Sequence, residues 1–341
     1  MQVDIRLDHL KDVQLEPNWG HVPSMLAQEI AKSIDAQRLG FRNDAATGII
    51  FAQQLQVISN RVRERAYPGF KAKNLMPMQS EAPFGAKEFA YTLADVAGMF
   101  ELIANYADDL PVTSVRGQKV VVNINDYGGS VIYSIFDIAK ATLAGINLVD
   151  REMMANRTAA EKKFDQIAWV GDPKAGTYGL YNAPNVTRIT APDGAGGDSR
   201  WATKTGEEIY ADLIAPYIQQ AADTFGTEMP DTKVLTAADM ARANTVRFDD
   251  VTGQTAMARF RQDYPNVTVE TVEWFQGISP AGGNAMIDYR NDAEKIGVEV
   301  PQPYTVMPPE PRNLATVVNA YMTTAGTIVY FPLSVTVTEE I

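Results

Sequence analysis

Apolar residues recur at helical spacing in two long stretches and alternate at strand spacing in several shorter ones. Phe51, Leu55, Ile58 and Val62 follow one another at steps of four, three and four, predicting an amphipathic helix that Pro68-Gly69 ends. Ahead of it, residues 1–48 change character every few positions, with Pro17, Gly20, Pro23 and Gly40 interrupting short apolar groups. They predict an extended arm with one short helix around Ser24 to Arg38. From Glu81 to Pro111 the period drops to two. Phe89, Tyr91 and Leu93 alternate with Glu88, Ala90 and Thr92, Ala97-Gly98 supplies a turn, and MFELIANY follows. A two-stranded excursion has little core of its own, so it must fold back or lie on another subunit. A further strand, KVVVNIND, begins near Lys119.

The strongest helical signal runs from about Ile135 to Val170, which as one helix would span about 50 Å. Gly145 and Asn147 allow a kink or break, and Gly171-Asp172-Pro173 ends the run. Phe164 and Ile167 share its packing face. Beyond a turn-rich loop at 182–200, Thr205 with Glu208 three residues later forms a capping-box pattern for a helix to about Phe225. Thr236 and Thr252 predict the caps of two shorter helices, the second carrying Ala256, Phe260 and Tyr264. Strands are predicted at Thr268 to Trp274, Ala285 to Tyr289 and Lys295 to Val300, giving the middle of the chain its own core. After the proline-rich PQPYTVMPPEPRN, Ala315 to Met322 and Gly326 to Thr338 read as a hairpin packed on the long helix, with Pro332 placing the last strand at an edge or bulge. Both chain ends then belong to one lobe, with the middle lobe inserted.

Composition narrows the chemistry. The 341 residues are 45% hydrophobic and 21% charged, as in a globular chain of about two domains. Without cysteine there is no disulfide, thiolate nucleophile or cysteine-ligated metal, and the two histidines, His9 and His21, lie in the proline-broken arm. A net charge of -12 opposes tight binding to a polyanion. No apolar run is long enough to span a bilayer, and the first residues lack a signal-peptide pattern. The triplets beginning at Asn156, Asn185 and Asn266 are therefore read as chance glycosylation motifs.

The remaining candidates resolve mostly to structure. Asp108-Asp109 are adjacent on a strand and point to opposite faces, which suits an acidic contact tip better than an acid/base pair. GDPKAG and DGAGGDS lack the residues that complete a phosphate loop and read as turns. Asp288-Tyr289-Arg290-Asn291-Asp292 lacks calcium-loop spacing and reads as a charged hairpin end. Trp169, Trp201 and Trp274 stand beside element ends with mixed charge around them, predicting burial at seams and not a nucleic-acid platform. No catalytic, cofactor-binding or metal-binding residue is assigned.

The blocks KNLMPMQSEAPFGAKEFAYTLADVAGM, IANYADDLPVTSV, DYGGSVIYSIFDIAKA, AAEKKFDQIAWVGD and PPEPRNL…TTAGTIVYFPLSV occur in an order that closely resembles tailed-bacteriophage major capsid proteins of the Hong Kong 97-type fold. The resemblance implies an α+β capsid fold: an N-terminal arm and helix at 1–80, an extended two-stranded loop at 81–118, and a peripheral domain with a long spine helix at 119–181. It further implies an inserted axial domain at 182–300 and return strands of the peripheral domain at 301–341. It implies a non-enzymatic subunit of the virion capsid, assembled in the host cytoplasm from hexamers and pentamers. Scaffolding and portal proteins would guide assembly, a decoration protein could bind outside, and double-stranded DNA would be contained non-specifically, with no cofactor and no membrane. An encapsulin-like nanocompartment shell is the alternative, and a soluble carboxylate-dependent enzyme the outsider.

Charge suggests how copies meet. Residues 81–111 carry Glu81, Glu88, Asp95, Glu101, Asp108 and Asp109 against Lys87, a balance of -5; residues 57–73 carry Arg61, Arg63, Arg65, Lys71 and Lys73 against Glu64, a balance of +4. Asp108 and Asp109 are therefore expected to approach Arg61, Arg63 and Arg65 of a neighbour, with Phe89 and Phe100 as apolar contact candidates.

Overall fold

The computed structural model describes residues 69–97, 114–145, 147–249, 251 and 253–341. The predicted helices before residue 68, the Ala97-Gly98 turn and MFELIANY lie outside the described residues. In chain order the structure runs α1 (Ala72–Leu75), β1 (Met78–Gln79), β2 (Glu88–Ala97), β3 (Ser114–Asn123), β4 (Asn125–Ser134), α2 (Ile135–Leu143), α3 (Leu148–Val170), β5 (Gly171–Asp172), β6 (Thr177–Tyr178) and β7 (Thr187–Thr190). It continues with α4 (Gly206–Asp223), β8 (Thr232–Leu235), α5 (Ala237–Thr245), α6 (Ala256–Asp263), β9 (Thr268–Thr271), β10 (Ala285–Tyr289), β11 (Ile296–Glu299), β12 (Gln302–Val306), β13 (Glu310–Arg312), β14 (Ala315–Thr324), β15 (Gly326–Val329) and β16 (Val335–Glu339).

The helix boundaries follow local chemistry. Ser134 and Asp137 form a capping box at the start of α2, and the chain breaks after it where Gly145 adopts φ +69. Asn147 then caps α3, whose 23 residues reach about 34 Å. The single long helical signal is thus two helices. Thr205 and Glu208 form the expected box on α4, and Thr236 caps α5. The cap of α6 is Thr255, whose side chain accepts the Ala258 N–H; Thr252 lies outside the described residues.

Sheet pairing departs from the sequence reading. The partner of β2 is β3, paired from Glu88 with Asn123 to Ala97 with Ser114, so the strand expected to start near Lys119 begins earlier and crosses the 118/119 division. β14 does not form a hairpin with the segment after it. It pairs over its whole length with β4, Ala315 opposite Ser134 through Thr324 opposite Asn125, and takes β12 and β13 on its other edge. A short turn at Pro332–Ser334 splits the predicted last strand. β15 joins the sheet ordered β1-β11-β15-β6-β5, whereas β16 lies inside the sheet ordered β7-β16-β10-β8-β9. Pro332 therefore marks a change of sheet, where its missing N–H interrupts no ladder.

This second sheet is covered on both faces, which explains its continuous burial. Val234, Ile287, Tyr289, Val335 and Val337 face one core together with Phe164, Ile167 and Trp169 of α3. Leu235 and Met286 face a second core with Ile209, Leu213, Tyr217 and Phe260 of α4 and α6. Along β10, alternation then puts Asp288 beside Met286 under the helices. Asp288 is fully buried and sits 2.7 Å from Lys233 Nζ, and Tyr289 is equally buried. The expected charged hairpin end is divided: Asp288 and Tyr289 close a core strand, and Arg290, Asn291 and Asp292 form the surface loop that follows it.

Glu299 ties the first sheet to the root of the β2–β3 excursion, its Oε1 accepting the Ala82 N–H at 2.8 Å. Burial raises the pKa of this carboxyl, opposed by the backbone N–H groups of Ala82 and Glu81, while the Glu81 charge raises it further. The folded state holds this proton to higher pH than the unfolded chain does. The corresponding stability is full below about pH 4.3 and is lost as pH rises through the folded value. Glu299→Gln removes that ionisation. Relative to wild type, the variant should gain stability as pH rises above about 4.3, read as urea midpoints of the unassembled subunit. A wild-type-to-variant difference that stays constant with pH would contradict this.

Candidate assembly surfaces

The β2–β3 hairpin is fixed at its root and exposed beyond it. Phe89 and Tyr91, two residues apart on one face, stack at 6.3 Å, and Tyr91 meets Tyr330 edge-on at 5.0 Å. Tyr330 donates its hydroxyl to Gln79 Oε1 at 2.6 Å, and Phe84 leans on Tyr321. Leu93, on the face of Phe89 and Tyr91, and Val121, opposite Ala90 on the other face, are exposed apolar side chains. Phe89 is half-buried within its own subunit. Phe100, Asp108, Asp109, Arg61, Arg63 and Arg65 lie outside the described residues.

Two of the five basic residues in 57–73 have partners inside the subunit. Lys71 is 2.6 Å from Glu270, and Lys73 lies 3.9 Å from Glu161 and over the Phe164 ring.

A second surface, missed in the sequence, is α2. None of its nine residues is buried. Ile135, Phe136 and Leu143 are exposed, and Ile132, Met154 and Leu314 continue the apolar surface on β4, α3 and the turn before β14. The Ile135 N–H donates to the Leu314 carbonyl, which joins the start of α2 to that turn. Ile135-Phe136 gave no warning, since consecutive apolar residues on a helix can share one core, as Ile167, Ala168 and Trp169 of α3 do. Exposed apolar side chains grouped in this way make α2 a candidate for association.

The interior carboxylates are occupied structurally. Asp165 accepts the Ala72 N–H and the Trp274 indole N–H, Asp212 takes Lys204 and the Trp201 indole, and the Asp239 carboxylate accepts the hydroxyl of the α5 cap Thr236 and the Asn284 amide. Trp169 and Trp201 are buried within the subunit, and Trp274 is half-buried. A cavity of about 310 Å³ between α3 and β14 is lined by Tyr127, Gly128, Gly129, Asn156, Lys163 and Tyr304, and by no carboxylate. Among the described residues no three His, Cys, Asp or Glu side chains form a metal-holding group, and no helix is long and apolar enough to cross a membrane.

A family model described as major capsid protein matches residues 98–341. Among solved structures, the chain is similar to the capsid of Myoviridae phage XM1 at 17% identity, covering 85% of this chain and 98% of that one with a TM-score of 0.76. It is also similar to the structures titled Mycobacterium phage Ogopogo (13% identity, 85% and 98% covered, TM-score 0.61) and Gordonia phage Cozz (12% identity, 85% and 93% covered, TM-score 0.61). No curated protein matches the sequence significantly.

Proposed function

Because the chain belongs to the major capsid protein family, whose members are non-catalytic structural subunits of the bacteriophage virion that self-assemble into its head, we propose that it tiles an icosahedral shell as hexamers and pentamers around double-stranded DNA. The observation that carries this reading is a subunit with exposed apolar side chains on α2 and on an anchored hairpin, outside its three apolar cores. Many weak contacts per copy then sum to a stable closed shell. An acidic subunit suits containment, since tight phosphate contacts would hinder packing and release of DNA. Scaffolding and portal proteins are the partners expected during assembly, and a decoration protein on the finished shell.

In this reading residues 1–80 form the arm and its helix, 81–118 the extended loop, 119–181 with 301–341 the peripheral domain, and 182–300 the axial domain. Two details modify that division: the loop's hairpin continues to Asn123, and β16 crosses into the axial sheet. Imaging of the purified assembly tests the shell. Discrete icosahedral particles are expected, and a chain that stays monomeric with scaffold present would contradict the proposal.

Contact between the acidic loop and the neighbour's Arg61, Arg63 and Arg65 is tested by charge reversal. Asp108→Lys with Asp109→Lys should slow assembly several-fold at low salt without lowering subunit stability, because exposed charges steer encounter more than they add affinity. Arg61→Glu with Arg63→Glu should restore part of the rate. Unchanged light-scattering kinetics across low and moderate salt would leave Phe89 and Phe100 as the determinants.

A further inference from the structure

The turn after α4 holds a large apolar side chain where neither its backbone nor its ring stabilises the subunit. Phe225 is 96% exposed and adopts φ +53, a left-handed conformation that a bulky residue rarely takes and that glycine normally supplies at a helix end. The turn is nevertheless rigid. The Gly226 N–H reaches the Ala221 carbonyl at 2.9 Å, the Thr224 hydroxyl donates to Gln220 O at 2.6 Å, and the Thr227 hydroxyl donates to Thr224 O at 2.6 Å. Ile218, two turns earlier on the same side of α4, is 63% exposed. Backbone strain combined with an exposed aromatic ring on a hydrogen-bonded turn is the character of a contact anchor.

The other end of α4, eighteen residues or about 27 Å away, opens into a cleft of about 700 Å³. Its lining is mostly polar, with Arg242 and Arg247 among it, and half-buried Val246 and Phe248 supply the apolar part, Phe248 resting edge-on against Tyr210 at 5.0 Å. Charge selects between the ways two copies can meet. The knob's turn, residues 222–231, contains Asp223, Glu228 and Asp231 and no lysine or arginine. Lys295 offsets Glu228 at 2.7 Å, which leaves an acidic end. Knob against knob would therefore set acid against acid. The cleft has no such excess, since Lys204 is spent on Asp212 and Arg242 and Arg247 balance Glu207 and Asp249.

We propose that Phe225 of one copy seats in the cleft at Val246 and Phe248 of the next, a head-to-tail contact that rests on the capsid-forming reading. Knob and cleft are different surfaces, so each copy uses both, and the contact propagates until it closes into a ring.

The chain's lack of cysteine makes the test direct. Particles of the Phe225→Cys, Arg247→Cys double variant, mildly oxidised and run on a denaturing gel, should give a ladder of covalent multimers, while each single variant stays monomeric. Dimers from Phe225→Cys alone, or a monomeric double variant in well-formed particles, would overturn the contact. Phe225→Asp supplies an independent reading. Its subunit should melt at the wild-type temperature, because the ring is already in water, while the concentration needed for assembly rises at least tenfold. Assembly of this variant at the wild-type threshold would overturn the proposal with the capsid reading intact. Wild type that forms no particle under any condition would overturn that reading, and the contact with it.

Discussion

Lys233→Ala should destabilise the unassembled subunit by about 3–5 kcal/mol, the cost of leaving a buried charge without its partner. Lys233 and Asp288 stand directly opposite each other on β8 and β10, both fully buried. The ammonium is 2.7 Å from Oδ1 and 2.8 Å from Oδ2, between the rings of Tyr217 and Phe260 at 5.3 and 5.2 Å. Burial pushes the lysine's pKa down and the aspartate's up, and their mutual attraction opposes both shifts. Removing one partner forfeits the attraction and keeps the other's desolvation. Asp288→Ala should therefore cost a similar amount. The double change Lys233→Met with Asp288→Leu should be far milder than the sum, because an apolar pair can fill the space beneath α4 and α6. Urea unfolding of the four proteins gives the coupling directly. Single-variant losses under about 1 kcal/mol would show that water reaches the pair.

That pair also shows where a single sequence stops being informative. Helix ends were legible because capping is settled within four residues, as at Thr205 with Glu208 and at the Gly145–Asn147 break. The charged run beginning at Asp288 was misread because its partner lies 55 residues earlier, and nothing near Asp288 announces a covering layer of helices. A still greater separation hid the pairing of β14 with β4, whose residues 125 and 324 meet in register, and local pattern did not reveal the transfer of β16 to a different sheet from β15. Alternation reports that a strand has two faces, not which strands adjoin it. The assembly surfaces were partly legible. The hairpin was, through Phe89, Tyr91 and Leu93. The α2 face was passed over because apolar residues in a helical window suggest a core, and only the observed packing shows that Ile138 alone turns to Val131, Tyr133 and Val318 while Ile135, Phe136 and Leu143 stay exposed.

Gly179→Ala should cost about 3 kcal/mol or more and abolish assembly, since it strikes the point where α3 ends and the chain returns across it. A Cβ on residue 179 would lie 2.3 Å from the Gly171 nitrogen and 2.6 Å from the Val170 carbonyl carbon, both backbone atoms that no rotamer change can move aside. The close approach has a purpose. It brings the Leu180 N–H to the Ala168 carbonyl at 3.0 Å and the Tyr181 N–H to the Trp169 carbonyl at 2.8 Å, so the returning chain satisfies carbonyls that the helix end leaves open. The Thr327 hydroxyl adds a bond to Ala168 O at 2.7 Å, which links the same helix end to β15. Displacing residue 179 would loosen these contacts around Trp169, the buried indole that meets Phe275 edge-on. Gly69→Ala, with open space around the added methyl group, is the control and should be near neutral. A Gly179→Ala subunit with wild-type urea midpoint and normal particle yield would mean that the helix end tolerates a displaced return strand, and that the contacts of Leu180, Tyr181 and Thr327 do not hold it.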